Sequence, residues 1–467
     1  MKVTVVGLGY VGLVTSAGLA TWGHRVTGVD ASRSRLKVLA GGELPFFEPG
    51  LDDLVLSAAQ ADRLRFTDPS SDAMTAADVV ITAVGTHDGN GGWQTAAMET
   101  CLNQVVPHLR DDAVLVVRST LPPDYVRSLG DMVAALRHDV GRPMIPVLLN
   151  PEFTREGRAI LDFMQPDRLV FGIVHDPDGE GEARLRALYS SADAPVLVMP
   201  AMDAAFAKLG ANLFLATKIS FANELARLCD AHGAVVDNVV AAMSYDARIG
   251  GEFLRPGVGF GGSCLPHQVS MTVKSASIAG VPSLLLAAVW EVNQAQRELF
   301  VERLDDLLGG LRGRRIAILG LAFKADTDDL RDAPSLTIAR RLIDDGADVI
   351  AYDPMAKARE HATSLIPGLR VAETAARALA GADVAALVTD WPEFSQLDWA
   401  SIGSRMRRRV VLDGRNALNP SDVTAAGFKY VAFGRGGPVG QPMVTHLDGV
   451  EAEPTLGALP IPSYSNA

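Results

Sequence analysis

A chain of 467 residues is too long for one ordinary core, since domains usually run to roughly 100–200 residues, so two or three units are expected. With 48% hydrophobic and 21% charged residues, the composition is that of a folded globular protein and excludes a disordered or fibrous chain. A formal charge of −12 argues against a broad nucleic-acid or anionic-membrane surface and leaves room only for a focal phosphate pocket.

The opening "MKVTVVGLGYVGLVTSAGLATWG" places a lysine before an apolar stretch, but its glycines fall at turn spacing, so it reads as strand, turn and helix and not as a leader. A β-branched run, Val3 to Val6, leads to a glycine turn, a helix over about Tyr10 to Trp22, and a second strand, "RVTGVD", ending at Asp30. Strand-like runs follow at "ADVVITAV" and "AVLVVRST", so residues 1–200 are predicted to form an open, mostly parallel sheet covered by helices. In "DAAFAKLGANLFLATKISFANELARLCDAHG", Phe206, Leu209, Leu213, Ala216, Ile219 and Ala222 recur at three- and four-residue steps, which predicts a long helix with an apolar face. Such a helix suits both a hinge and a homodimer contact. A second α/β cycle begins near Arg314 with "RRIAILGLAF", "SLTIARRLIDDG", "ADVIAYDP", "ADVAALVT" and "RRRVVLDGRN". The expected chain is therefore α/β: two Rossmann-like doubly wound domains, 1–200 and 306–440, joined by a long central helix and a helical dimerisation region, 201–305, with a loosely ordered tail over 441–467.

No apolar run reaches the roughly 18–20 residues of a membrane span. The cysteines, Cys101, Cys229 and Cys264, are odd in number and form no C-x-x-C pair, which predicts a reducing compartment, the cytoplasm.

Gly7, Gly9 and Gly12 form G-x-G-x-x-G directly after a strand and at the opening of a helix. Glycine permits the tight turn and the close approach of backbone N–H groups to a pyrophosphate, and the helix N-terminus adds partial positive charge. Asp30 ends the next strand 18 residues after Gly12, where a carboxylate accepts hydrogen bonds from an adenosine ribose and repels a 2′-phosphate; NAD is the expected cofactor.

Cys264 sits in "GVGFGGSCLPHQ", a glycine-rich loop whose exposed N–H groups are expected to lower the thiol pKa. A thiol beside a hydride acceptor suits oxidation beyond an alcohol, because a thiohemiacetal can itself lose hydride to become a thioester. Lys208 and Asn212, four residues apart, share one helix face and form a candidate oxyanion site for a carbonyl attacked by Cys264. Cys101 and Cys229 fit as buried apolar residues, and Cys264-x-x-His267 lacks the further ligands of a metal site.

These residues, with "FFEPGL", "VVRSTLPP", "NPEFTREGRAILDFMQPDRLVFG", "RIGGEFLRPGVGFGGSC", "LAFKADTDDLRDAPS" and "LDGRN", resemble the UDP-glucose/GDP-mannose dehydrogenase family over nearly the whole chain to about residue 435. The resemblance implies NAD-dependent, four-electron oxidation of a nucleotide sugar's C6 alcohol to a carboxylate, UDP-glucose to UDP-glucuronate being the leading case. It places Cys264 as nucleophile, Lys208 and Asn212 at the oxyanion, and Thr120 and Glu156 at ordered water and proton transfer. It places Glu152, Lys208, Asn212, Arg248, Phe253, Gly261, Lys324 and Arg415 around the sugar and diphosphate, Arg248 reaching across a dimer. For NAD it adds Tyr10, Val11, Thr86, Thr120, Glu156, His267 and Arg331 to the glycines and Asp30.

The family usually reads Cys-Phe-Pro-Lys-Asp where this chain has Cys264-Leu265-Pro266-His267-Gln268. An amide hydrogen-bonds but is no base near neutral pH, so Gln268 is expected to alter the proton transfers that an aspartate would serve, leaving them to Glu156 or His267. "GTHDGNGG" also departs from the family's Gly-Thr-Pro. Two alternatives stay open: the same chemistry on GDP-mannose, dTDP-glucose or an N-acetylhexosamine nucleotide, or a catalytically weak protein that binds NAD and a sugar nucleotide.

Overall fold

A computed structural model describes residues 1–69, 71–86 and 92–436; the core of "GTHDGNGG" and the C-terminal tail lie outside the described residues. The chain builds two sheets. The first contains β1 (Lys2–Val6), β2 (Arg25–Val29), β3 (Leu64–Thr67), β4 (Val79–Thr82), β5 (Val114–Val117), β6 (Val147–Leu149), β7 (Leu169–His175) and β8 (Val196–Pro200). The second contains β9 (Arg315–Leu319), β10 (Asp348–Tyr352), β11 (Arg370–Val371), β12 (Val384–Leu387), β13 (Val410–Asp413) and β14 (Lys429–Ala432).

Their orders are β3-β2-β1-β4-β5-β6-β7-β8 and β11-β10-β9-β12-β13-β14, each reversing beside its first strand. All pairings are parallel except β6 with β7. Parallel strands covered by helices on both faces need apolar residues throughout, and "VVIT" in β4 and "VLVV" in β5 are buried at every position. Ligands of such sheets bind beyond the strand C-termini where the order reverses, so topology alone directs attention to the ends of β1 and β4 and of β9 and β12.

Between the sheets runs the helix Ala201–His232, 32 residues long, ended by Gly233 in the left-handed conformation at φ 72°. It packs on the helices Leu265–Ile278 and Leu284–Leu308. Its buried stripe includes Ala204, Lys208, Leu209, Ala216, Asn223 and Ala226. Phe206 does not belong to that stripe: it is 53% exposed and aligns with Phe214, Phe221 and Leu228, 65%, 51% and 53% exposed. Steps of eight and then seven residues keep these four on one side of the helix, away from the three- and four-residue ridge that meets its neighbours. Among the described residues no helix is long and apolar enough to cross a membrane.

Candidate active site

A cavity of about 230 Å³ opens beyond the C-terminal ends of β1, β4 and β5. Gly9, Tyr10, Val11, Thr86 and Thr120 border it on the first sheet's side, Glu152 and Glu156 on the loop after β6, and Cys264, Gln268 and Arg331 on the opposite side. The structure thus collects into one space residues from six separate stretches of sequence.

The glycine turn is built for close approach. A Cβ on Gly12 would lie 1.7 Å from the Gly7 carbonyl oxygen, so no other residue fits there without displacing the turn. A Cβ on Gly9 would meet nothing within 4 Å; the missing side chain leaves open space where the helix Tyr10–Thr21 begins, and no side chain caps that helix. These are the features a dinucleotide pyrophosphate requires, free N–H groups and an uncovered backbone. Asp30 Oδ2 accepts from Leu8 N at 2.7 Å and Oδ1 from Ser32 N at 2.7 Å. Arg35, with its NH1 2.7 Å from Oδ2, pairs with the same carboxylate. Lone pairs remain for a ribose, but the charge of Asp30 is partly neutralised by a neighbour that the turn motif does not reveal.

The glycine-rich cysteine loop threads between four segments and is fastened to each. Gly257 N donates to Asn223 Oδ1 of the long helix at 2.7 Å, and Phe260 N donates to Asn293 Oδ1 at 2.7 Å. Val258 N reaches the Gly414 carbonyl after β13 at 2.9 Å, and Gly262 N the Arg331 carbonyl at 3.0 Å. A Cβ on Gly261 would sit 2.4 Å from the Asp332 carbonyl oxygen, so glycine here serves close packing of backbone on backbone.

The cysteine caps the helix Leu265–Ile278 and opens on the cavity, where its side chain is accessible although protein crowds it on the other sides. Burial pushes the thiol pKa up, with Glu152 and Glu156 adding to the rise; Lys208 and the Ser263 hydroxyl pull it down without reversing it. The expectation of a lowered thiol is therefore corrected: desolvation outweighs the loop's N–H groups. Cys101 and Cys229 are buried, and burial pushes the Cys101 thiol up to about 12.

Lys208 Nζ lies 3.1 Å from Glu152 Oε1, both side chains almost wholly buried. Burial works to raise the Glu152 pKa, but Lys208, the Thr154 hydroxyl and backbone N–H, and Arg118 together hold it below the ordinary carboxylate value. One turn along, Asn212 Nδ2 donates to Gln268 Oε1 at 2.9 Å. Gln268 therefore partners Asn212, and Lys208 takes its counter-charge from Glu152.

Glu156 behaves oppositely to Glu152. Burial and the neighbouring Asp329 push its carboxyl up to about 7, against Arg331 and Lys324. Its Oε1 accepts from Ser263 Oγ at 3.3 Å and from Arg331 NH2 at 3.3 Å, while Lys324 Nζ donates to its backbone carbonyl. Below it, Glu48 of "FFEPGL" accepts from Gly157 N and Ala159 N, each at 2.7 Å, and from the Tyr10 hydroxyl. Burial and Glu48 push the Tyr10 phenol up, so it stays a donor. Thr86 Oγ1 donates to the Thr120 carbonyl at 2.6 Å, tying two cavity-lining loops together.

Other expected residues stand apart. Arg248, its side chain 88% exposed, pairs with Asp246, and Phe253, at φ 66°, and His267 do not border the cavity. Arg415 donates to the carbonyls of Val388, Gly259 and Phe323 at 2.7, 3.1 and 2.9 Å, clipping the cysteine loop to the second sheet. Among the described residues no group of three or more His, Cys, Asp and Glu side chains is arranged to hold a metal ion. Sequence reasoning missed Ser263, Asp329, Glu48 and Arg35; adjacency to Cys264 and the acidic pair in "TDDLR" were the signals for the first two.

Comparison with known proteins shows the family to which this fold belongs. Residues 1–193 match the NAD binding domain of the UDP-glucose/GDP-mannose dehydrogenase family, 202–295 its central domain and 317–420 its UDP binding domain. The UDP-glucose 6-dehydrogenase of Rhizobium meliloti (strain 1021) is 38% identical over 446 residues, 93% of this chain and 100% of that one. The structure of a UDP-glucose dehydrogenase from Pyrobaculum islandicum superposes with a TM-score of 0.84 at 34% identity, covering 94% of this chain and 98% of its own. That of a UDP-D-ManNAc dehydrogenase from Pyrococcus horikoshii gives 0.82 at 26% identity, covering 94% and 100%. The chain is an enzyme with NAD as its cofactor and belongs to the UDP-glucose/GDP-mannose dehydrogenase family.

Proposed function

We propose that this enzyme oxidises the C6 alcohol of UDP-glucose to the carboxylate of UDP-glucuronate, with Cys264 holding the sugar between the two oxidations. The observation that carries the reading is the single cavity bordered by both the Gly9–Val11 helix start and Cys264. NAD, when bound, supplies the acceptance of one hydride in each of two successive oxidations. The chain's own residues do the rest.

Gly7, Gly9, Gly12 and Asp30 hold the cofactor, with Tyr10, Val11, Thr86 and Arg331 bordering its space. Cys264 Sγ adds to the aldehyde carbon, giving first a thiohemiacetal and then a thioester, which water hydrolyses. Lys208, anchored by Glu152, and Asn212 supply positive charge and an N–H donor to the oxyanion. The Gln268 carbonyl is directed at Asn212, which leaves its NH2 for the reacting group; it donates and does not accept a proton, so hydrolysis depends on a carboxylate, for which Glu156 is the candidate, assisted by Thr120. Lys324 and Arg415, on the second sheet's side, serve the diphosphate, with Phe253 and Gly261 shaping the sugar's entry and His267 on the cofactor side.

The exposed row Phe206, Phe214, Phe221 and Leu228 supports a homodimer through the central helix, which would also bring Arg248 of a second copy toward the site. NAD and nucleotide-sugar pools and three unpaired cysteines favour the cytoplasm. The test is NADH formed per UDP-glucose consumed, with the product identified by mass, alongside GDP-mannose, dTDP-glucose and UDP-N-acetylhexosamines. Two NADH and UDP-glucuronate are expected; oxidation of another sugar nucleotide in preference, or binding with no NADH, overturns the reading.

A further inference from the structure

Attack by Cys264 requires that its thiol lose a proton, and the residues nearest the sulfur offer few acceptors. Gln268 is a neutral amide already bonded to Asn212, and Lys208 is tied to Glu152 at 3.1 Å. Glu152 is engaged on both oxygens, Oε1 by Lys208 and Oε2 by Thr154 N at 2.7 Å and by the Thr154 hydroxyl. A different route is laid out in the structure. Ser263 Oγ lies 3.7 Å from Cys264 Sγ and donates to Glu156 Oε1 at 3.3 Å. When Ser263 donates to the carboxylate, its lone pairs are free to accept from the thiol, and once the proton has moved the hydroxyl can donate back to the thiolate. Ser263 is buried, so bulk water does not readily replace it in this chain.

We propose that Ser263 is a catalytic proton relay, passing the Cys264 thiol proton to Glu156 as the sulfur attacks the aldehyde. The S–H bond breaks and its proton joins Ser263 Oγ, while the original Ser263 proton forms an O–H bond on Glu156 Oε1. The sulfur electron pair forms the C–S bond and the carbonyl π pair moves to oxygen, so no further reactant is needed. Asp329 is a positioning residue in this scheme: it faces Glu156 and holds Arg331 through Oδ1 at 2.9 Å and Oδ2 at 2.7 Å. The groups facing Glu156 are Asp329, Arg331 and Lys324 from the second domain, Ser263 from the cysteine loop, and Tyr10 with Glu48 from the first. Those facing Cys264 are Lys208, Glu152, Glu156 and Arg331. Burial and Asp329 push Glu156 up to about 7, which makes it a competent acceptor near neutral pH.

The relay rests on the reading of Cys264 as nucleophile, and the experiment separates the two. The enzyme is given NAD and the 6-aldehyde of UDP-glucose, and the single-turnover rate of NADH formation is followed between pH 6 and 9 for wild type, Ser263→Ala, Ser263→Thr, Asp329→Asn and Cys264→Ser. Ser263→Ala is expected to slow the step about 10²-fold, with UDP-aldehyde affinity unchanged, and Ser263→Thr, which keeps the hydroxyl, to recover most of it. Asp329→Asn is expected to move the acid limb of the wild-type profile to lower pH. Wild-type rate in Ser263→Ala, or equal loss in both Ser263 variants, overturns the relay while leaving the nucleophile in place. Should both Ser263 variants fail to fold, an acid limb unmoved in Asp329→Asn overturns it. Full activity of Cys264→Ser overturns the underlying reading instead.

Discussion

The two sheets of this enzyme begin alike and diverge after seven residues, Lys2–Leu8 in one and Arg315–Leu321 in the other. In each, a strand ends in a glycine of positive φ, Gly7 at 94° and Gly320 at 97°. Each glycine N–H reaches the last carbonyl of the neighbouring strand, Val29 at 2.8 Å and Tyr352 at 2.7 Å. Each following leucine N–H donates to an aspartate just past that strand, Asp30 or Asp353, at 2.7 Å. What comes next differs. In the first sheet the helix starts at Tyr10, so its N–H groups face an open turn. In the second the helix starts only at Pro334, and the intervening segment carries Lys324, Asp329 and Arg331 across to Glu156. Asp353 is saturated as well, taking Leu321 N, Ala322 N and Trp391 Nε1 on Oδ2 and Met355 N on Oδ1. One turn is kept open for a cofactor; the other is filled and its segment is used to complete the first domain's site.

The comparison breaks most severely at Gly12. Gly12→Val drives a branched side chain into the Gly7 carbonyl and should abolish NAD binding in titrations while lowering the melting temperature; Ala325→Gly, at the corresponding place of the second turn, should leave NAD binding intact. Next in size is the seam between the domains. Lys208→Met leaves Glu152 buried without its counter-charge and should cost about 3–5 kcal/mol in denaturant unfolding, with NADH production lost.

A smaller effect sharpens the contrast between the aspartates. Asp353→Asn should cost roughly 1–3 kcal/mol of stability and leave the KM for NAD unchanged, whereas Asp30→Asn should raise that KM and relax discrimination against NADP. The smallest concerns Glu156. Its carboxyl binds a proton more tightly folded than unfolded, so the stability this confers is present below the ordinary carboxylate range and is lost as pH rises through about 7. Glu156→Gln should therefore gain on wild type by up to about 1.4 kcal/mol per pH unit between pH 5 and pH 7 and level off by pH 8, measured as the difference in unfolding free energy.

What the sequence disclosed and what it hid follow the same division. The glycine turn was legible because its geometry is local: one strand, three glycines and an acidic residue after the next strand. The long helix was legible by period, but the side on which Phe206 lies was not, because periodicity finds a stripe and not which stripe meets the rest of the fold. Cys264 was legible as a candidate nucleophile, yet the direction of its pKa was not, since desolvation depends on walls contributed by Glu152, Glu156 and Arg331. Glu48, Ser263 and Asp329 each meet a partner more than 100 residues away, Gly157 for the first and Glu156 for the other two, and the local signals at Ser263 and Asp329 do not disclose that pairing. Arg415, expected at the diphosphate, gives three of its five N–H donors to backbone carbonyls, a use that only the packed loop reveals.

The claim at the centre of this account is that Cys264 carries the sugar between the two oxidations, and an intact-mass spectrum of enzyme quenched during turnover with UDP-glucose and NAD tests it most directly. A hydroxylamine-sensitive adduct of the UDP-glucuronyl group on the peptide containing Cys264, absent in Cys264→Ser, is the predicted result. Full two-NADH turnover in Cys264→Ser with no adduct in either protein would contradict it.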